Sequence, residues 1–239
     1  MQQLEVYESI PESAMVIVAH PDDAEFLCAG TVARWARGGA EVTYVLVTNG
    51  DKGSSDPQAD PVQLAATRRH EQEAATQATG GARTIFLGYE DGMVEPTLQL
   101  RRDLSRVIRQ WRPHAVVCQD PTMFFGGRGY LNHPDHRAVG EAAVTAIYPA
   151  ARDHLTFPEL AAAGFAPHKV QEVFLAGSDG ADVIVDITET LPVKVAALLA
   201  HRSQVGDWHP EEMVAGWARD AAREHTFEFG ETFRYLKLE

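Results

Sequence analysis

Two short segments carry most of the side chains able to do chemistry, His20-Pro21-Asp22-Asp23 and Asn132-His133-Pro134-Asp135-His136. Imidazole nitrogens and carboxylate oxygens are standard zinc ligands, and a catalytic zinc takes three protein groups and leaves one position for water. His20 and Asp23 can converge on one cation from a single turn, which leaves Asp22 free to reach the water. The bland alternative is a turn in which Asp22 or Asp23 caps the following helix. The second segment stands where a loop enters a helix, with Pro134 near the first helical position. His133 and His136 project from nearly one side of that first turn, so either one supplies the third ligand and the other stays free near the water. Asp135 is a candidate to hydrogen-bond an imidazole and fix its tautomer, or else a helix cap. Together the segments predict a His₂Asp metal set with an open position.

Such a site needs elements that bring residues more than 100 positions apart to one place. Ala14–Ala19 is a β-branched run suited to a strand buried on both faces. Glu41–Thr48, Arg83–Leu87, His114–Cys118, Lys169–Leu175 and Asp182–Asp186 read as further strands. Helices are expected over Glu25–Arg37, Pro61–Thr79, Thr97–Trp111, Pro134–Ala150 and Leu191–Gln204, the first two ending on Gly-Gly pairs. Alternating strands and helices imply right-handed βαβ units, hence an α/β fold: a Rossmann-like, open, mostly parallel sheet with helices on both faces, in a single domain over residues 1–239. Ligands of such sheets bind beyond the carboxyl ends of the strands. The loops His20–Asp23, Thr48–Asp56, Tyr89–Glu95 and Asp120–His136 stand there.

Composition narrows the classes. The chain has 239 residues, 45% hydrophobic and 23% charged, with 34 acidic against 21 basic side chains and a formal charge of −13. A negative field without a basic patch argues against nucleic acid as a partner. The first turn has no G-x-G-x-x-G, and its two carboxylates would repel a pyrophosphate, which argues against a dinucleotide enzyme. No Ser stands in a G-x-S-x-G elbow. Cys28 and Cys118 sit in apolar surroundings and read as small core residues. The acidic start MQQLEVYESIPES has no signal-peptide pattern, and no apolar run approaches the roughly 20 residues of a membrane span, so a cytoplasmic location is expected.

With these residues in view, the chain resembles the LmbE/PIG-L family of zinc-dependent de-N-acetylases. The resemblance rests on AHPDD at 19–23 and HPDH at 133–136. It extends to Thr48–Gly53, Arg68 to Glu71, LGYEDG at 87–92 and His201-Arg202-Ser203-Gln204, covering about residues 14–206. It implies a hydrolase that removes acetyl from an N-acetylated amino sugar or its conjugate. His20, Asp23 and His136 would bind zinc, or iron or another divalent ion, and Asp22 would be the general base. His133, protonated, would hold the developing oxyanion. Arg68 and Asp91 match positions that contact sugar hydroxyls. A family tyrosine two residues before the second motif is Leu131 here, which makes Tyr130 the candidate substitute. Ala24 stands where many members have Glu, with Glu25 one residue later. The family also makes a homo-oligomer plausible. Alternatives are an amidase for a larger acyl group and a non-catalytic metal- or sugar-binding protein. Asp22 separates the last of these, since a binder needs no second carboxylate beside the ligand.

Overall fold

The computed structural model describes residues 4–126 and 129–239. Residues 1–3, at the start of the acidic N-terminal stretch, and 127–128, inside the Asp120–Asn132 loop, lie outside it. The strands are β1 Glu5–Val6, β2 Ser13–Val18, β3 Glu41–Thr48, β4 Arg83–Tyr89, β5 Ala115–Gln119, β6 Phe125–Gly126, β7 Tyr130–Leu131, β8 Glu172–Ala176, β9 Val183–Asp186 and β10 Gly230–Lys237. The helices are α1 Asp23–Leu27, α2 Ala29–Arg37, α3 Pro61–Ala78, α4 Leu98–Trp111, α5 Pro134–Thr145, α6 Pro158–Ala162, α7 Leu191–Leu198, α8 Arg202–Val205 and α9 Glu211–Ala221.

Eight strands form one sheet in the order β1-β9-β10-β8-β5-β2-β3-β4, while β6 and β7 make a separate hairpin. Strand β2 pairs in parallel with β3 on one side (Ala14 opposite Val42) and β5 on the other (Ala14 opposite Ala115). Side chains alternate across the sheet with period two. Met15 and Ile17 therefore pack with Leu100, Leu104 and Ile108 of α4 and Val139 of α5. Ala14, Val16 and Val18 pack on the other face with Trp35 of α2 and Ile187. Burial on both faces explains why β2, β3 and β5 read as predominantly apolar, β-branched runs. Cys28 and Cys118 are fully buried and unpaired, as expected.

The chain order reverses at β2: β3 and β4 lie to one side, β5 and β8 to the other. That is a topological switch point, where a crevice opens beyond the strand ends. The four loops expected there do follow β2, β3, β4 and β5.

Several features depart from the sequence reading, among them the short strands β1, β6 and β7 and the helix α6, where no element was expected. The helix expected over Glu25–Arg37 is two helices, broken at Cys28, whose backbone is neither helical nor extended (φ −149°, ψ 9°). Pro134–Ala150 is α-helical to Thr145 and then a π turn, because Pro149 has no N–H and forces Tyr148 into extended backbone. The expected helix Leu191–Gln204 ends at Leu198 and resumes at Arg202. Beyond residue 206, α9 and β10 are additional. Strand β10 inserts antiparallel between β8 and β9, the one reversed strand of the described sheet. No helix among the described residues is long and apolar enough to cross a membrane.

Candidate active site

At the end of β2 the chain turns sharply into α1. Asp22 absorbs the turn with a left-handed backbone (φ 86°), which Asp tolerates better than most residues. It precedes α1 but makes no side-chain cap. Its N–H donates to Gln72 Oε1 (3.2 Å) and its Oδ2 accepts from Arg68 Nη2 (3.1 Å). Asp23 turns back on the strand end: its Oδ2 accepts from the His20 N–H (2.8 Å) and from Gln119 Nε2 (3.2 Å). Neither carboxylate is a helix cap.

The second turn starts α5. Its cap is His133, whose Nδ1 accepts the Asp135 N–H at 3.2 Å. That bond places the ring proton of neutral His133 on Nε2. Asp135 is fully buried and points inward, accepting the Gly92 N–H on Oδ2 (2.7 Å) and the Val94 N–H on Oδ1 (3.2 Å).

The two turns meet face to face. Asp23 bridges them, with Oδ1 3.1 Å from His136 Nε2 and Oδ2 3.4 Å from His20 Nδ1. The far nitrogen of each imidazole is also engaged. His20 Nε2 lies 3.1 Å from both Asp135 Oδ2 and Asp91 Oδ1, and His136 Nδ1 lies 2.9 Å from Asn132 Oδ1. Tyr130 Oη donates to that same Asn132 oxygen at 3.2 Å. His20 and His133 stack edge-on, with ring centroids 4.8 Å apart. Ligand atoms of His20, His133 and His136 lie within 4.8 Å of one another, as do those of His20, Asp91 and Asp135.

The electrostatics follow from this crowding. Burial alone would lower His20, but Asp23, Asp135 and Asp91 push it up to about 12, a measure of how much negative charge surrounds this ring. Burial opposes the charged form of Asp23, yet His136 and His20 hold it well below the usual carboxylate range. Burial and the adjacent Asp23 charge push Asp22 up to about 7, against the pull of Arg68. Burial and then the neighbouring His20 charge lower His133, so the protonated form expected from the sequence is disfavoured.

This donor set suits a divalent cation. Imidazole nitrogens of His20, His133 and His136 converge, Asp23 lies against two of these rings, and the His20 and His136 rings are each oriented through their other nitrogen by an oxygen, the usual support of a metal-bound histidine. Of the two gatherings around His20, the one with Asp91 and Asp135 lies on its Nε2 side. Asp135 is already occupied there by two backbone N–H groups, and Asp91 Oδ2 by the Lys52 N–H at 2.9 Å. Those two carboxylates orient His20, while Nδ1 faces Asp23.

Residues 15–147 match the family model described as GlcNAc-PI de-N-acetylase (PIG-L). This chain belongs to the PIG-L family. Among its relatives, diacetylchitobiose deacetylase of Thermococcus kodakarensis is 29% identical over 206 residues, which cover 86% of this chain and 73% of the relative. A probable N-acetyl-alpha-D-glucosaminyl L-malate deacetylase 2 of Bacillus anthracis is 30% identical over 195 residues, 80% of each chain. Among solved structures, N,N'-diacetylchitobiose deacetylase from Pyrococcus horikoshii superposes with a TM-score of 0.86 at 27% identity, covering 95% of this chain and 84% of that one.

Within this PIG-L chain, the residues expected to touch substrate sit in two kinds of place. Tyr130 is half exposed and lines the groove beside Asn132 and His136. Arg68 is only 3% exposed, and its guanidinium is spent on the protein: Nη2 on Pro21 O (2.6 Å) and Asp22, Nη1 on Gly50 O (2.9 Å). Asp91 faces His20. Glycine at 50 and 53 leaves room for this guanidinium, since a Cβ at either position would collide with it.

The sequence reading missed Gln119 and Asn132 as supports for Asp23 and His136. It also missed a fully buried relay in which His201 Nε2 meets Glu25 Oε2 (3.2 Å) and Gln72 Nε2 donates to Glu25 Oε1 (3.1 Å). Gln72 then holds the Asp22 N–H. The available signal was positional: Gln119 ends β5, on the same rim as the motifs.

Proposed function

We propose that this protein is a metal-dependent hydrolase that removes the acetyl group from an N-acetylated amino sugar. The observation that carries this reading is the meeting of the two turns: Asp23 between His20 and His136, with a second carboxylate, Asp22, in the same turn and held by Arg68. His20, Asp23 and His136 are the ligands we assign. Zinc suits this set, as do iron(II) and other divalent ions, since availability can override affinity. A bound divalent ion polarises the amide carbonyl and activates water for attack.

The chain's own residues supply the rest. Asp22 accepts the proton of the attacking water, a task suited to a carboxylate fixed in position by the Arg68 guanidinium and Gln72. His133 donates its Nε2–H to the carbonyl oxygen as negative charge develops there, a preformed donor of the oxyanion-hole kind. Asp22 then returns its proton to the leaving nitrogen, so that water and amide become acetate and amine. Arg68 and Gln72 hold Asp22 in its left-handed turn, and Asp91, Asp135 and Asn132 fix the ligand imidazoles. A binding protein would need the three ligands but not Asp22, which favours catalysis.

The test is acetate release from N-acetylglucosamine and its conjugates by zinc-loaded protein, with Asp22→Asn as control and metal content measured by mass spectrometry. The expected result is about one metal per chain and acetate release that the control lacks. Protein that takes up no metal after dialysis against zinc overturns the mechanism.

A further inference from the structure

A groove of about 680 Å³ opens from Asp23 and His136 and extends to Trp208 and Trp217. Pockets of roughly 300–1,000 Å³ hold drug-sized molecules, so this one has space beyond a single acetylated sugar ring. Its described lining has two chemistries. Phe26, three residues after Asp23, and the segment after residue 206 give an aromatic side, with Trp208 stacked on Phe26 (centroids 6.2 Å apart, planes 25° apart). The two indoles stay 48% and 55% exposed. The ends of β5 and β8 give a polar side: Asp120, fixed by Thr122 and Ser178, and the neighbouring Asp179. Among the described lining residues there is no Lys or Arg.

We propose that this groove is a subsite for a second, uncharged sugar ring linked to the N-acetylated one, a proposal that rests on the deacetylase reading above. A pyranose presents a flat C–H face and an edge of hydroxyls. The exposed indoles take the face, and the exposed carboxylate of Asp179 accepts from a hydroxyl on the edge. An alkyl aglycone would cover the exposed Asp179 carboxylate without giving it a hydrogen bond, which is costly. An anionic aglycone would meet Asp23, Asp120 and Asp179 in a chain of net charge −13.

The experiment compares kcat/KM of the zinc-loaded full chain on four substrates: N,N'-diacetylchitobiose, N-acetylglucosamine, its octyl β-glycoside and N-acetylglucosamine 1-phosphate. The disaccharide is expected to lead. Trp217→Ala and Trp208→Ala should each lower the disaccharide-to-monosaccharide ratio roughly three- to tenfold, the scale of one lost stacking contact. Preference for the octyl glycoside or the phosphate overturns the proposal, as does a ratio that neither tryptophan variant moves. In parallel, titration calorimetry measures N,N'-diacetylchitobiose binding to Asp22→Asn protein with and without Trp217→Ala, where the Kd should rise by a similar factor. Saturable, tryptophan-dependent binding without acetate release from any substrate overturns the deacetylase reading and keeps the subsite. Acetate release without tryptophan dependence does the reverse.

Discussion

At His20-Pro21-Asp22 the aspartate closes a strand-to-helix turn in a left-handed conformation, pairs with Arg68 and borders the cluster. At His133-Pro134-Asp135 the same tripeptide opens a helix, and its aspartate is buried under two backbone N–H groups against His20. The histidines differ as sharply. His20 is gripped at both nitrogens by carboxylates, whereas His133 spends Nδ1 on capping α5 and keeps Nε2 as a donor. Only the fourth residues, Asp23 and His136, play matching parts, meeting at 3.1 Å across the crevice. Identical residues thus take different tasks because the backbone, a strand end in one case and a helix start in the other, decides where each side chain points.

The largest effects should come from the parts the turns share. His136→Ala and Asp23→Ala are expected to lose both the bound metal and activity, read by metal analysis and acetate release on identically purified protein. Metal retention in either variant would break the pairing of the turns. The two aspartates should then separate. Asp22→Asn is expected to lower kcat by roughly 10²–10⁴ with metal retained, the range of a lost general base. Asp135→Asn is expected instead to weaken metal affinity about 10–100-fold, the scale for a residue that orients a ligand. Reversed outcomes would exchange their assigned parts.

His133→Ala should lower kcat about 10²–10³-fold while metal stays bound, as for a lost oxyanion donor. If that variant instead loses its metal, His133 is a ligand and the two turns are more alike than the hydrogen bonds indicate. Smallest is an effect on stability. Gly50→Ala puts a side chain at φ 66° and against Arg68, so unfolding should be easier by about 1–3 kcal/mol in a denaturant titration. An unchanged midpoint would mean that Arg68 is free to move, and the first turn less rigid than its hydrogen bonds imply.

Much of the fold was legible because β2, β3 and β5 are buried on both faces and so are mostly apolar and β-branched, with polar residues such as Glu41, Thr43 and Gln119 few among them. Strand β10 was not. Its sequence GETFRYLK mixes polar and apolar residues, and it becomes a strand by filling the gap between β8 and β9, a long-range event. Arg68 shows the same limit within the site. By resemblance it reads as a contact to sugar hydroxyls, with nothing in the sequence to tell it from its neighbour Arg69. Yet Arg69 lies over the Phe86 ring, while Arg68 is buried beneath the Gly50 loop. Asp91 reads as a substrate contact by resemblance, and only the approach of the β4 loop to β2 sets it against His20.

By itself the sequence determined the donor types, their spacing and the rim on which they stand, because strand burial and helix starts are written in local patterns. The tertiary structure decided which nitrogen faces which oxygen, which aspartate is held inside and which borders the cluster, and what the residues after 206 bring to the groove. Those outcomes depend on contacts such as His20 with Asp135, 115 residues apart in the chain. No local pattern encodes the angle at which two distant turns come together.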